Sequence, residues 1–84
     1  MPYVEVRTLF FAAYRDALGL SELAVTLPEG ASVSDLVRSL RGRGTPFEVL
    51  PGDPAVAVNR RYSPMDRVLE GGDEVAFIPP VAGG

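Results

Sequence analysis

The chain has 84 residues, of which 46% are hydrophobic and 23% charged, and its net charge is −3. This length allows one small domain, and the composition is that of a folded chain rather than a disordered one. The acidic balance argues against nucleic acid as a partner, and no apolar run approaches the roughly 20 residues that span a membrane. Because the sequence has no cysteine and no signal-peptide pattern, we expect a cytoplasmic protein.

Histidine, cysteine and lysine are all missing from the sequence. Their absence removes the commonest general base, the thiol nucleophile and the usual nitrogen and sulfur ligands of metal ions. No residue remains that would activate one of the serines as a nucleophile. We therefore predict that the domain is not an autonomous enzyme, that it holds no metal ion and that no cofactor is bound permanently.

The first 19 residues predict a strand followed by a short helix. Residues 3–9 alternate between apolar and polar side chains, which is typical of a half-buried strand. In the segment 10–18, Tyr14 and Leu18 have the four-residue spacing of one helical face. Gly19 then suits the left-handed backbone that often ends a helix.

A second strand and a clearer helix follow. Residues 22–27 alternate again and lead into a turn at 28–30. Ser32 and Asp35 have the spacing of a helix-capping box, and Gly42 is expected to end the helix that they begin. The buried face of this helix is predicted from the i, i+3, i+4, i+7 spacing of Val33, Leu36, Val37 and Leu40.

The second half of the chain predicts three further strands. The proline-rich segment 45–54 is expected to be a loop and the most mobile part of the domain. A small apolar strand at 55–59 reverses at Asn59 into a short fourth strand, since asparagine tolerates the left-handed backbone of tight turns. A glycine-rich turn at 70–73 precedes residues 74–78, whose nearly continuous apolar side chains predict a central strand.

These elements predict an α+β domain with a sheet of four or five strands and one main helix across one face. The domain should occupy residues 1–78, and residues 79–84 should form a C-terminal tail. Two prolines stiffen the start of this tail, and two glycines make its end narrow. Such a tail suits delivery of a terminal carboxylate to another protein's active site, although termini of this length are also often frayed.

Three blocks of the sequence, at 8–19, 57–59 and 72–84, follow the pattern of one protein family in order. The last block, Gly-Asp-Glu-Val followed by Pro-Pro-Val-Ala-Gly-Gly, is far more specific than a lone Gly-Gly pair. Together the blocks resemble the small subunit of molybdopterin synthase, a ubiquitin-like sulfur carrier. The resemblance implies a ubiquitin-like β-grasp fold whose first and last strands pair in parallel, which would make the sheet mixed.

Departures from the family pattern keep other functions open. Ala82 stands where the family often has threonine, and the proline-rich segment 45–54 is unusual. A sulfur carrier for thiazole synthesis or tRNA thiolation, or a ubiquitin-like protein modifier, therefore remains an alternative. A purely structural β-grasp module is a further alternative, and its tail would be dispensable.

The resemblance implies a function that needs no catalytic side chain in this chain. In the family, an activating enzyme uses ATP to adenylate the C-terminal glycine, and a sulfur donor then converts that glycine into a thiocarboxylate. The tail enters the large subunit and gives its sulfur to a pterin precursor of the molybdenum cofactor, in a heterotetramer. The expected partners are therefore the large subunit, a ubiquitin-activating-enzyme-like adenylyltransferase and a desulfurase- or rhodanese-type sulfur donor.

The candidate site residues follow position by position from the same resemblance. Gly84 is the expected sulfur-bearing residue. The tail residues expected to enter the partner are Pro79, Pro80, Val81, Ala82 and Gly83. The expected docking patch for the large subunit consists of Phe11, Arg15, Tyr62 and Ile78. Ordinary packing in the core is the alternative role for each of these four.

Overall fold

The computed structural model of the protein describes residues 2–80. Within these residues, five strands form one sheet, and two α-helices and one short 3-10 helix connect them. The strands are β1 (Tyr3–Phe10), β2 (Glu22–Pro28), β3 (Ala55–Val58), β4 (Arg61–Ser63) and β5 (Glu74–Ile78). Their order across the sheet is β2-β1-β5-β3-β4. The helices are α1 (Ala12–Leu18), α2 (Val33–Arg41) and the 3-10 helix Phe47–Val49.

The last strand, β5, lies in the middle of the sheet. It pairs in parallel with β1, where Phe10 lies opposite Phe77, and antiparallel with β3, where Val56 lies opposite Phe77. The side chains of Val75 and Phe77 are completely buried, as the apolar sequence of this strand predicted. Both the central position of β5 and its parallel pairing with β1 are confirmed.

Helix α2 forms the second layer of the domain. Its four predicted core residues are all buried, and its first turn carries the predicted capping box. The Ser32 hydroxyl accepts a hydrogen bond from the Asp35 backbone N–H at 3.2 Å, and the Asp35 carboxylate accepts one from the Ser32 backbone N–H at 2.9 Å. This second bond is the main reason that the pKa of Asp35 lies below its usual value.

Helix α1 is short and peripheral. Tyr14 and Leu18 are its buried residues, and they join the main core cluster. The helix ends at Gly19, whose φ of +75° lies in the left-handed region and whose backbone N–H donates to the Arg15 carbonyl at 2.9 Å. The predicted helix and its glycine terminator are confirmed.

The segment 45–54 is more ordered than a loop. It contains the 3-10 helix, and Leu50, directly after that helix, is completely buried. Phe47 packs against the same core from a partly buried position. The prediction of a loop is therefore wrong in part, because two apolar side chains three residues apart anchor the segment to the domain. Its mobility stays a prediction.

A two-residue turn joins β3 to β4. Asn59 and Arg60 have φ values of +52° and +73°, as a tight hairpin turn of the mirror-image type requires. The Asn59 side-chain amide also donates to Asp73 at 2.9 Å, and its carbonyl oxygen accepts from the Glu74 backbone N–H at 3.0 Å. The predicted reversal at Asn59 is confirmed, and the same side chain ties the hairpin to the start of β5.

Candidate functional site

The two faces of the sheet differ in what covers them. Core residues such as Val6, Val56 and Phe77 lie on one face, packed with the helices. Because side chains alternate along a strand, the intervening residues point to the opposite side, which we call the open face. In register, Leu9, Ala76, Ala57 and Tyr62 form one row across the open face, from β1 to β4.

Apolar side chains gather at one end of the open face. Ile78 follows Ala76 on β5, and the extended backbone of Phe11 (φ −121°, ψ 157°) continues the alternation of β1 for one more residue. Phe11 is 45% exposed and Tyr62 is 79% exposed, while Ile78 is half-buried. We call this surface the apolar patch; it comprises Leu9, Phe11, Ala57, Tyr62, Ala76 and Ile78, of which Ala76 is buried between its neighbours.

Three of the four predicted docking residues therefore share one face of the sheet. The fourth, Arg15, lies on α1, one helical turn beyond Phe11, whose carbonyl accepts a hydrogen bond from the Arg15 backbone N–H at 3.3 Å. The Arg15 guanidinium is exposed, and the nearest carboxylate, that of Asp16, is 3.8 Å away. Arg15 thus lies at the margin of the apolar patch. The docking roles of all four residues stay predictions.

Sequence reasoning missed three members of the apolar patch, namely Leu9, Ala57 and Ala76. Their signal was the alternation of each strand: in the sequence Ala-Val-Ala-Val of β3, the valines are buried and the smaller alanines point the other way. Two alanines in adjacent strands, lying opposite each other in the register, make the middle of the patch flat. The sequence shows the alternation within each strand, but it does not show which residues of neighbouring strands lie side by side.

The other end of the open face is charged. Arg7 on β1 donates a hydrogen bond to Glu74 on β5 at 2.8 Å, and Glu22 on β2 adds a second negative charge nearby. The hydrogen bond to Glu74, followed by the charge of Glu22, raises the pKa of Arg7. The pair is partly exposed, so its contribution to stability is small. The open face therefore carries an ion pair next to the apolar patch, while the exposed ring of Tyr3 lies farther along β1.

The predicted tail leaves the domain beside the apolar patch. Phe77, the residue before Ile78, packs its ring on that of Phe10 with a centroid distance of 5.3 Å. Pro79 is half-buried and Pro80 is exposed, and neither belongs to a strand. The remaining tail residues, namely Val81, Ala82, Gly83 and Gly84, lie outside the described residues. The roles of the tail therefore stay predictions, although its base is the most buried strand of the sheet.

The described residues present an exposed apolar surface, and their polar side chains form few clusters. Residues 2–80 contain no group of three or more side chains that could hold a metal ion, and none of their helices is long and apolar enough to cross a membrane. Their one buried polar side chain, Thr8, is satisfied by a 2.7 Å hydrogen bond to the Leu23 carbonyl. What this region offers chemically is shape, apolar contact and a firm base for the tail.

The fold is the ubiquitin-like β-grasp. It has a five-stranded mixed sheet with a helix across one face, and its first and last strands pair in parallel. The ThiS family model matches residues 8–84, and the chain belongs to this family. It is 37% identical over 82 residues to the molybdopterin synthase sulfur carrier subunit of Mycobacterium tuberculosis, across 96% of this chain and 99% of that protein. The expected fold and the family resemblance are confirmed.

Solved structures agree with this assignment. A Pyrococcus furiosus structure that bears the name molybdopterin converting factor, subunit 1, is 36% identical, with a TM-score of 0.80 over 93% of this chain and 99% of that one. The small archaeal modifier protein 1 of Methanosarcina acetivorans is 25% identical, with a TM-score of 0.74 over 100% of both chains. Proteins with this fold are thus named both as molybdopterin converting factor subunits and as protein modifiers.

Proposed function

We propose that this chain is the sulfur carrier of a molybdopterin synthase and that Gly84 bears the sulfur. The observation that carries this proposal is the apolar patch at the base of the tail, on a chain that matches the ThiS family through residue 84. The name of the Mycobacterium tuberculosis relative, a sulfur carrier subunit of that synthase, supports it. A carrier needs a reactive end and a surface for docking, and it needs no catalytic side chain of its own.

The Gly84 carboxylate is a poor electrophile, and adenylation makes its carbonyl carbon reactive. An oxygen of the Gly84 carboxylate attacks the α-phosphate of ATP on an activating enzyme, and pyrophosphate leaves. The terminal sulfur of a persulfide on a desulfurase- or rhodanese-type donor then attacks the carbonyl carbon of the acyl-adenylate, and AMP leaves with the bonding electrons. A thiol next attacks the donor's sulfur in the resulting acyl disulfide, so that a disulfide forms on the donor and the acyl-bound sulfur leaves with the electron pair. The product is a thiocarboxylate. The acid–base groups for these steps reside in the partners, since this chain lacks histidine, cysteine and lysine.

Transfer takes place in the large subunit. The thiocarboxylate sulfur attacks a carbon of the pterin precursor and displaces an oxygen substituent, which leaves with the bonding electrons and takes up a proton. Water then hydrolyses the thioester, which leaves sulfur on the pterin and returns Gly84 to a carboxylate. At 3.3–3.6 Å per residue, a fully extended chain of six residues, the number from Pro79 to Gly84, would span about 20 Å. This reach fits an active site at the end of a narrow channel.

Docking on the apolar patch would fix the start of the tail. Phe11 and Tyr62 are large apolar groups whose exposure has no role in the fold, and aromatic side chains dominate the energetics of protein interfaces. Their neighbours Ala57 and Ala76 are small, so a partner surface can approach the sheet closely. Docking of the patch on the large subunit would therefore orient the tail, because Ile78 belongs to the patch and is also the last residue of β5 before the tail.

A protein-modifier function is the second candidate. The likeness to the small archaeal modifier protein 1 favours it, because that fold match covers the whole of both chains. A modifier would join Gly84 to the amine of a lysine on a target protein, whereas a dedicated carrier would hydrolyse back to the free carboxylate. Both functions share the adenylation step, so the step after adenylation separates them.

Intact-mass spectrometry tests the sulfur-carrier function. The protein is incubated with ATP, an activating enzyme and a sulfur donor, and we expect the mass increase of one oxygen-to-sulfur exchange at Gly84. A variant that lacks Gly84 is the matched control and should gain no mass. Absence of the exchange in the full chain, under conditions in which a known carrier is converted, would disprove the carrier function. Covalent adducts with target lysines, without any exchange, would favour the modifier.

A further inference from the structure

The two edges of the sheet differ in length. Strand β4 closes one edge with three residues, whereas β2 forms the other edge with seven. Strand β2 pairs with β1 only, and within residues 2–80 no segment pairs with its outer side. A long unpaired edge is a template for another strand unless the protein blocks it.

The pattern of hydrogen bonds between β1 and β2 shows which backbone groups of β2 face outward. The Phe10 N–H donates to the Ser21 carbonyl at 2.9 Å, and the Glu29 N–H donates to the Pro2 carbonyl at 3.2 Å. In an antiparallel pair the bonded residues alternate, so residues 23, 25 and 27 of β2 bond to β1. The backbone N–H and C=O groups of Glu22, Ala24 and Thr26 therefore point away from the sheet.

The hydrogen bonds on the other side of β1 independently support this alternation. The Arg7 N–H donates to Asp73 at 2.9 Å, and the Glu5 carbonyl accepts from Gly72 at 2.9 Å. Odd-numbered residues of β1 thus face β5, and even-numbered residues face β2. Six unpaired backbone groups, three donors and three acceptors, remain along the outer edge of β2. Pro28 ends this row, because it has no N–H and its carbonyl accepts from Ala31 at 3.1 Å.

A groove runs beside the free edge. It has a volume of about 470 Å³ and lies between the second half of β2, the turn that follows it and α2. Its floor includes Leu27 and Ala31, both buried, and its far wall includes Asp35 and Ser39 of α2. Side chains of a strand added to β2 would alternate between the open face and this groove.

Charge selects the kind of strand that fits. The segment 22–29 has two carboxylates, Glu22 and Glu29, and no basic residue. The Asp35 carboxylate is already neutralised by Arg38, which donates to it at 3.0 Å. A second copy of this chain would bring two more carboxylates to the same edge, so self-pairing is disfavoured. A basic segment would instead be attracted to both ends of the edge.

We propose that the outer edge of β2 is a docking site for an extended peptide with small apolar residues between basic ones, added to the sheet as a sixth strand. The backbone groups of Glu22, Ala24 and Thr26 supply the hydrogen bonds. The groove takes the apolar side chains, and Glu22 and Glu29 attract the basic ones. With strands about 4.8 Å apart, this edge lies four strand spacings, about 19 Å, from β4 and Tyr62. The nearer margin of the apolar patch is Leu9, the register partner of Glu22, so the outward backbone groups of Ala24 and Thr26 lie farther from the patch than those of Glu22.

Amide NMR with a designed peptide tests this site. The probe is the acetylated and amidated peptide Lys-Val-Thr-Val-Lys, whose palindromic order allows either strand direction, titrated to millimolar concentration. We expect saturable shifts at Glu22, Ala24 and Thr26, and slower hydrogen exchange of the same three amides. The control peptide Glu-Val-Thr-Val-Glu should bind roughly tenfold more weakly or not at all.

Two sets of variants separate the edge from its charge. Ala24→Pro removes an outward N–H that the fold does not use, so the domain should tolerate it while peptide binding is lost. Ala24→Val keeps the donor and is the matched control. The double variant Glu22→Lys with Glu29→Lys should reverse the preference between the two peptides, and this result does not depend on the proline variant folding.

Several outcomes would overturn the assignment. If no amide shifts appear at millimolar peptide concentration, the outer edge of β2 is not a docking site. Shifts at Phe11 and Tyr62 instead would place the peptide on the apolar patch. Equal binding of the two peptides, or equal binding by the Ala24→Pro and Ala24→Val variants, would contradict strand addition guided by charge. Concentration-dependent dimerisation through the β2 amides would make a second copy the occupant.

Discussion

The two faces of the sheet are built from the same strands but have different tasks. On the core face, Val56, Val58, Val75 and Phe77 are almost completely buried, and their apolar character is explained by packing. On the open face, Tyr62 is exposed although nothing in the fold requires an aromatic residue there. Apolar residues that the core does not need are a sign of binding. The comparison therefore separates residues that maintain the domain from residues available to a partner.

The largest expected effect is on the core face. Phe77→Ala removes a fully buried ring that packs on Phe10, and it should lower the free energy of unfolding by about 3–5 kcal/mol. Urea denaturation followed by circular dichroism would measure the loss. The neighbouring Ile78→Ala, on the open face, is the control and should cost much less. Equal losses for the two variants would mean that the faces do not differ as described.

The next effect is on binding and belongs to the open face. Tyr62→Ala should change the free energy of unfolding by no more than about 0.5 kcal/mol, because the side chain is largely exposed. If the patch docks on the large subunit, the same variant should weaken that complex by about 2 kcal/mol, or roughly 30-fold. Calorimetric titration with the large subunit gives the affinity. Thr26→Ala, on the distant strand β2, serves as the control and should bind normally.

The capping box of α2, the helix that covers the core face, gives a smaller effect. Ser32→Ala removes the hydroxyl that accepts from the Asp35 N–H, and it should lower the free energy of unfolding by about 1 kcal/mol. Thermal and urea unfolding would both record it. Ser63→Ala is a matched control, since the Ser63 hydroxyl bonds only to the adjacent Pro64 carbonyl. A loss as large in the control would show that the cap is not the cause.

The same cap predicts a pH dependence. The pKa of Asp35 is lower in the folded protein than in the unfolded chain, mainly because the carboxylate accepts from the Ser32 N–H. Its stabilising contribution is therefore complete above the unfolded pKa and is lost as the pH falls through the folded pKa. In Asp35→Asn, the fall in stability below about pH 4 should be shallower than in the wild type. Unchanged slopes in acid titrations of stability would contradict the role of this carboxylate.

The smallest effect should be a gain, at the turn that positions Tyr62. Arg60 has a φ of +73°, a conformation in which glycine avoids the clash of a Cβ atom. Arg60→Gly should raise the free energy of unfolding by about 0.5 kcal/mol, after allowance for the greater freedom of glycine in the unfolded chain. Arg61→Gly, within β4, is the control and should be destabilising. A loss of stability in Arg60→Gly would mean that the arginine side chain makes stabilising contacts.

Local patterns in the sequence predicted most of the fold. The spacing around Leu36 defined the buried face of α2, and the nearly unbroken apolar run of β5 indicated a central strand. The turn at Asn59 and the helix end at Gly19 followed from the left-handed conformations that these residues tolerate. The parallel pairing of β1 with β5 came only from the family resemblance, because strand direction depends on contacts between distant parts of the chain.

The rest depended on tertiary structure. Prolines dominated the pattern at 45–54 and concealed the burial of Leu50, which depends on a core formed by other elements. For the candidate site, alternation showed that Leu9 and Ala57 point away from their buried neighbours. That both lie beside Ala76 follows only from the register of three strands. The free edge of β2 was likewise invisible before the strand order was known.

The central position of β5 also determines how the domain responds to mechanical load. A force that pulls on the tail acts along the axis of β5, which is hydrogen-bonded on one side to β1 and on the other to β3. Its bonds then resist in shear, all together, whereas an edge strand pulled sideways would lose them one by one. If the tail is withdrawn from the narrow channel of a partner, the hydrogen bonds of β5 to both neighbouring strands would oppose that pull together.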